Sequence, residues 1–300
     1  MKHLFIINPK AGKGKSLDLI PKIEEIFESL EEEPIIEITQ KPGHATEIVQ
    51  KYVQLDNYRI YSVGGDGTLN EILNGIINTQ SQLGIIPAGS GNDFIKSLII
   101  DKNITAENIL EKTIFGESKK VDVGIVNNKY FINISSIGFD ADVVKSSIKL
   151  KKSSFIPNKL AYLLSIFLAV FFHKNRNLEI ILDNKKFNAK TTLLAICNGC
   201  FYGGGMHVAP FAKISDGYFD VCLVENISIL KILMLFPKLI KGIHSEIKEV
   251  TFFNAKKVSV NCEEDININI DGELIQSQHI EFQILPSAIN VIYPTNELTS

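Results

Sequence analysis

Hydrophobic positions change their rhythm along this chain, and the change falls near residue 120. Leu4-Phe5-Ile6-Ile7 is a continuous apolar run, the pattern of a strand buried on both faces. Over residues 16–30 the apolar residues Leu19, Ile20, Ile23, Ile26, Phe27 and Leu30 recur at helical spacing and predict an amphipathic helix. The alternation continues with a strand over 34–39, a helix over 43–52, a strand over 59–63, a helix over 68–77 with Thr68 as its N-cap, and a strand over 83–86. Strands separated by helices predict an α/β domain whose parallel sheet is covered on both faces. Ligands of such sheets bind beyond the carboxyl ends of the strands.

Beyond residue 120 the apolar runs become short and closely spaced. Strands are predicted over 121–126, 130–135, 178–182, 191–197, 218–224, 256–260, 266–270 and 280–284. Helical patterns interrupt them over 159–172 and 228–241. This density predicts a mostly β second domain, a sandwich or barrel. The boundaries are then 1–122 for the α/β domain and 123–285 for the β-rich domain. Neither an internal repeat nor a Gly/Ser linker is visible, so the junction should be short.

Composition narrows the picture. A length of 300 residues suits two domains, and 45% apolar residues suit globular cores. A formal net charge of −3 carries no positive field for nucleic acid. The four cysteines, Cys197, Cys200, Cys222 and Cys262, are too few for a disulfide scaffold and fit a reduced, cytoplasmic setting. The apolar run at the N-terminus is too short for a secretion signal before Asn8-Pro9 stops it. The most apolar segment, "LAYLLSIFLAVFF" at 160–172, is shorter than the ~20 residues needed to span a bilayer. It reads either as a buried core helix or as a helix touching a membrane.

Three glycine-bearing stretches carry candidate chemistry. In "VGGDGTLNE", 63–71, a strand runs into Gly64-Gly65-Asp66-Gly67 and a helix starts at Thr68. Glycines let backbone N–H groups approach a phosphate, and the helix N-terminus adds partial positive charge. Asp66 would repel a phosphate unless a cation lies between them, which points to Mg²⁺ on ATP. "PAGSGNDF", 87–94, repeats the logic at the end of the next strand, with Gly89, Ser90 and Gly91 as donors and Asn92-Asp93 opening a helix. In a parallel sheet both loops lie on one edge. "NPKAGKGKS", 8–16, has the tail of a P-loop, but Pro9 stands where that motif requires glycine, so it is not one. "CNGC" at 197–200 has no second pair to make a zinc or redox motif, and neither His44 nor His207 completes a hydrolase set. "GGGM", 203–206, contains no acid and receives no role.

Asn8-Pro9-x-x-Gly12, "GGDGTLNE" and "PAGSGNDF" together resemble the catalytic domain of diacylglycerol kinases and their bacterial soluble relatives. "GFDA" at 138–141, "GGGMHVAP" at 203–210, "DGYFDV" at 216–221 and "DGE" at 271–273 extend the resemblance in the same order over the whole chain. It implies an NAD kinase-like first domain, a β-sandwich second domain, an active site in the cleft between them, and a last segment, 286–300, that returns to the first domain. It also implies ATP and Mg²⁺ as cofactors and a lipid acceptor. Residue by residue, it implies that Asn8, Gly12, Gly64, Gly65, Gly67, Thr68, Gly89, Ser90 and Asn92 surround the nucleotide. Asp66 and Asp93 would belong to a polar network with Mg²⁺, and Glu273 would be the base that takes the proton of the lipid hydroxyl. Asp216 and the Tyr218 carbonyl would hold a second, structural Mg²⁺. Serine often stands in the family where this chain has Ala11, so no hydroxyl contact is expected there.

Two alternatives share parts of this pattern. NAD kinases also carry GGDGT, but the serine/threonine-rich stretch that resembles "TGSTAY" is missing here. A non-catalytic nucleotide- or lipid-binding regulator would be expected to lose Asp66, Asp93 or Glu273, and all are present. A lipid kinase must reach a membrane surface. The stretch 227–242, "ISILKILMLFPKLIKG", with Lys231, Lys238 and Lys241, reads either as an interfacial helix or as a helix packed on the β domain. Lys145, Lys149, Lys151 and Lys152 would add weak attraction to such a surface. Edge strands of the β domain offer a route to a homodimer.

Overall fold

The computed structural model describes residues 1–99, 105–151 and 174–294. The helix expected over 159–172, the lysine at 152 and positions 295–300 of the expected returning segment lie outside these residues. The first four strands alternate with helices: β1 (Lys2–Ile7), α1 (Ile20–Ser29), β2 (Ile35–Ile38), α2 (His44–Val53), β3 (Tyr58–Gly64), α3 (Asp66–Ile76) and β4 (Gln82–Pro87). β1 pairs in parallel with both β2 and β3, and β3 with β4. Two apolar cores flank these strands. One holds Leu4, Ile6, Ile60, Leu69 and Leu83; the other holds Phe5, Phe27, Tyr61 and Ile86, with Phe5 stacked on Tyr61 at 4.3 Å.

Two local departures from the sequence reading have clear causes. The helix expected over 16–30 begins as a 3₁₀ turn, Leu17–Leu19, and becomes α-helical only at Ile20, with a proline in its first turn. Pro21 lacks an N–H, which costs nothing at that position, and its fixed φ suits a helix start. The helix expected from Thr68 starts at Asp66. Gly65 takes the extended N-cap conformation, and Thr68 lies in the first turn rather than capping it. Its hydroxyl is engaged elsewhere, accepting a hydrogen bond from Asn8 Nδ2 at 3.1 Å.

After the short α4 (Ile95–Leu98) and α5 (Ala106–Ile114), strands dominate. They are β5 (Glu117–Val126), β6 (Lys129–Phe131), β7 (Ile134–Gly138), β8 (Arg176–Leu182), β9 (Lys185–Cys197), β10 (Phe201–Tyr202), β11 (Met206–His207), β12 (Phe219–Glu225), β13 (Val250–Ala255), β14 (Lys257–Ile270) and β15 (Glu273–Tyr293). Among the described residues two helices interrupt them, α6 (Phe139–Lys151) and α7 (Ile229–Lys241). The strand expected over 130–135 is split between β6 and β7. Those expected over 256–260 and 266–270 are one strand, β14, with a register shift between Asn261 and Ile266. That shift lets β14 pair with β8 through its first half and with β7 through its second. β9 changes partners in the same way, from β8 to β7. Strands that switch partners in mid-course make the corners of a closed β layer, here packed around Phe131, Phe219 and Phe282.

The 21-residue β15 joins the two halves. Its first part is the antiparallel partner of β14, and Asn290 and Val291 pair in parallel with Gln82 and Leu83 of β4. A register shift against β5, between Leu285 and Ile289, marks the bend. Asp122 stabilises it: its carboxylate accepts hydrogen bonds from the N–H groups of Ser287 and Gly217, both at 2.7 Å.

Candidate functional site

The loops after β1, β3 and β4 meet at the carboxyl ends of their strands. Gly64 accepts hydrogen bonds from the N–H groups of Ala88 and Gly89 at 2.8 and 3.0 Å. The contact between loops is glycine on glycine: a Cβ at Gly89 would stand 2.4 Å from the Gly65 Cα. Any side chain there would force the loops apart. The β1 loop closes against the same edge, where a Cβ at Gly12 would stand 2.8 Å from the Ala88 carbonyl oxygen and φ is +59°. Asn8 bridges β1 to α3 through Thr68 and also accepts at its carbonyl from Ser16 Oγ at 2.6 Å. Asn92, at φ 49°, closes its own turn with two hydrogen bonds to the Gly89 backbone. Ser90 and Gly67 are exposed at the rim.

Within this frame stand two carboxylates. Asp66, in the first turn of α3, accepts a hydrogen bond at Oδ1 from the Asp93 N–H at 2.7 Å. Burial and the neighbouring Asp93 charge push its pKa up, opposed by the Asp93 and Phe94 N–H groups and by Lys96. Asp93 is buried and pairs at Oδ1 with Lys96 Nζ at 2.8 Å, while its Oδ2 accepts from the Gly204 N–H at 2.8 Å. A Cβ at Gly91 would stand 2.6 Å from Asp66 Oδ2, so glycine alone leaves that oxygen room for a ligand. Two like charges held together beside an open oxygen fit a divalent cation, which would relieve their repulsion.

Asp66, Ser90, Gly91 and Asp93 also form one end of a cavity of about 730 Å³. Its walls come from the β-rich half: Phe139, Val143, Leu193, Val224 and, from α7, Ile232, Leu235, Phe236 and Leu239. Polar groups are few. Asp271, partly buried, accepts hydrogen bonds from the N–H groups of Ile132, Asn133 and Ile134 and from Asn70 Nδ2 on α3. It thereby ties the turn at 271–272 to the helix that carries Asp66. Asp140 accepts from Ser136 Oγ at 2.6 Å and Asn269 Nδ2 at 3.0 Å. Burial pushes the pKa of each of these two acids up to about 6.

The remaining predicted residues lie elsewhere. Glu273 begins β15 one residue past the cavity wall. Its side chain is 55% exposed and pairs with Lys129 at 3.3 Å. Asp216 and Tyr218 sit on the exposed turn before β12, where Asp216 Oδ1 accepts from the Tyr218 N–H at 3.1 Å and Lys256 lies 4.8 Å over the Tyr218 ring. Burial and the charge of Asp216 push the nearby Asp220 up to about 6. Among the described residues, no three His, Cys, Asp or Glu side chains gather as metal ligands. All four cysteines are free thiols, and burial raises the pKa of Cys197, Cys200 and Cys222. His44 Nδ1 accepts from the Gln40 N–H in a turn, and His207 stacks on Phe201 at 4.3 Å.

The sequence reading missed several residues of this network. Asn70 was within reach of it, since it follows Asp66 by one helical turn inside the "GGDGTLNE" motif. Gly204 gives the "GGGM" loop its role, as the backbone donor to Asp93. Asp140 stands inside the "GFDA" stretch but received no role, Lys96 follows Asp93 by three residues and pairs with it locally, and Asn133 carries no local signal because only the fold brings it to the cavity.

A family model described as the diacylglycerol kinase catalytic domain matches residues 2–126, and one described as the YegS C-terminal NAD kinase beta sandwich-like domain matches residues 133–293. Diacylglycerol kinases of Staphylococcus aureus strains RF122 / ET3-1 and JH9 are each 31% identical over 295 residues, covering 97% of this chain and 92% of the relative. A crystal structure from Bacillus anthracis str. Sterne, described provisionally as a diacylglycerol kinase, is 26% identical with a TM-score of 0.76 and covers 97% of each chain. A second from that organism shares the fold, at 24% identity and a TM-score of 0.70, over 97% of this chain and 96% of that one. Both halves are matched and the similarity runs through nearly the whole length: the chain belongs to the diacylglycerol kinase family of lipid kinases.

Proposed function

We propose that the protein transfers the γ-phosphate of Mg²⁺-ATP to a hydroxyl of a diacylglycerol-like lipid, giving phosphatidic acid or an analogous lipid phosphate. The observation that carries this reading is the continuity of the site. The carboxylate pair at the glycine loops is one end of an apolar cavity large enough to take acyl chain. ATP would lie across Asn8, Gly12, Gly64 to Thr68 and Gly89 to Asn92, with backbone N–H groups and the α3 N-terminus facing its phosphates. Asp66 and Asp93 would hold Mg²⁺, which when bound neutralises charge on the transferred phosphoryl group. Asp216 and the Tyr218 carbonyl would hold a second, structural ion, favoured by the Asp216–Asp220 repulsion.

Phosphoryl transfer asks the protein for positioning and charge stabilisation more than for covalent chemistry. Acyl chains filling the cavity would displace its water and bring the lipid hydroxyl near Asp66. Glu273 takes the hydroxyl proton, which requires its carboxylate to leave Lys129 and turn toward the neighbouring cavity end at Asp271 and Gly272. Asp271 holds that turn in place. The active site is then the cleft between a domain of residues 1–122, joined by 286–300, and one of residues 123–285. Catalysis takes place at a membrane surface.

The test is an acceptor panel. Purified protein, γ-labelled ATP and Mg²⁺ are incubated with dispersed diacylglycerol, phosphatidylglycerol, a sphingoid base and a polyprenol, and products are identified by lipid mass. Label in a lipid phosphate, dependent on Mg²⁺, is expected. Transfer to none of them, or to NAD⁺ instead, contradicts the reading.

A further inference from the structure

The cavity is roofed by α7. Ile232, Leu235, Phe236 and Leu239 line it, spaced so that they share one face of the helix. A helix that served only as a roof would turn polar side chains outward. Here Met234 is 63% and Ile240 47% exposed, and Ile243, just past the Gly242 cap, is 49% exposed. Phe211, 58% exposed, adjoins the same end through Phe252, which packs against both Phe211 and His244.

The charge carried by the helix itself has one sign. The stretch 227–243 contains Lys231, Lys238 and Lys241 and neither aspartate nor glutamate. Lys231 pairs with Glu249; Lys238 and Lys241 are exposed and enter none of the described ion pairs. Apolar side chains interleaved with lysines fit the boundary between acyl chains and anionic headgroups. Among the described residues no helix is long and apolar enough to cross a membrane, so α7 would lie in the interface rather than span it.

We propose that the outer face of α7, with Met234, Ile240 and Ile243 inserted and Lys238 and Lys241 on the headgroups, docks the enzyme on an anionic lipid bilayer. This rests on the lipid-kinase reading: the helix that touches the bilayer is the one that covers the cavity, so a lipid entering beside α7 need not cross water.

The test is vesicle co-sedimentation of the full chain without nucleotide, so that its outcome does not depend on phosphoryl transfer. Vesicles of phosphatidylcholine alone are compared with vesicles containing phosphatidylglycerol. The wild type is expected in the pellet with the anionic vesicles and mostly in solution with the neutral ones. Met234→Glu/Ile240→Glu should lower partitioning at least about tenfold, with Met234→Gln intermediate and unfolding midpoints unchanged. Lys238→Gln/Lys241→Gln should lower it by roughly fivefold per lysine at low salt, a difference that fades near about 1 M salt. The charged pair should also retain transfer to a detergent-dispersed short-chain acceptor while losing it to a vesicle-embedded one.

A wild type that ignores anionic vesicles overturns the proposal, as do variants that all bind like the wild type. If Met234→Glu/Ile240→Glu dissolves a dimer of this chain and leaves vesicle binding intact, a second copy covers the face and the proposal also fails. Absence of phosphoryl transfer with normal vesicle binding would count against the proposed reaction and leave the docking surface standing.

Discussion

The proposed nucleotide end and the proposed lipid end of this site are built in opposite ways. At the β3 and β4 loops, backbone meets backbone, with glycine against glycine and short hydrogen bonds within and between the loops. In the β-rich half, the site is a cavity walled by aliphatic and aromatic side chains from separated strands and two helices. A phosphate is the same in every ATP, so its cradle tolerates one arrangement of main chain. An acyl chain offers only shape and area, and many combinations of side chains serve it.

That contrast predicts different outcomes for substitutions at the two ends. Asp66→Ala should reduce kcat by about 10²–10³-fold or more with the fold intact, since it removes a group needed only where charge develops. Glu273→Ala should cost about 10²–10⁴-fold if its carboxylate acts as base. Near-normal turnover would mean that it remains with Lys129 on the surface. Steady-state kinetics and thermal unfolding of both variants decide these points. Gly89→Ala should destabilise the protein by about 1–3 kcal/mol and raise the KM for ATP, because its methyl would meet the Gly65 backbone.

The acids of the cavity predict a pH effect of smaller size. Burial pushes the Asp140 carboxyl up to about 6, from an ordinary value of 3.8. The folded state therefore binds more protons than the unfolded chain between these values, and stability falls as pH rises through that window. Asp140→Asn should flatten the slope, by on the order of 2 kcal/mol across the window. Denaturant unfolding at pH 4, 5, 6 and 7 would show it; a slope equal to the wild type's would refute it. Smallest of all, Lys129→Ala should change stability by less than about 1 kcal/mol, because the Lys129–Glu273 pair is half-exposed on both sides.

The same contrast explains what could be read without a structure. The alternation of β1 to β4 with helices, the failed P-loop at Pro9, and the glycine loops around Asp66 and Asp93 all depend on neighbours in sequence. Main-chain constraints leave local marks. The pairing of β14 with two partners, and the way β15 runs from one half to the other, arise from contacts between distant segments, so short strands were expected where long bent ones exist. Thr68 read as a cap because nothing local announces its bond to Asn8 sixty residues earlier. A cavity residue such as Val224 looks like ordinary core in sequence, and Asp140 and Asp271, though inside the "GFDA" and "DGE" stretches, carry no local mark that they face it.

Whether the two ends form one site is tested by a single comparison: kcat/KM for diacylglycerols of short and long chain in the wild type and in Val224→Phe. Val224 lines the cavity away from the glycine loops. Filling the cavity there should depress kcat/KM for the long-chain acceptor at least about tenfold while the short-chain acceptor and the KM for ATP stay near wild type. Equal activity on both chain lengths in the variant would place the acyl chains somewhere else and contradict the account.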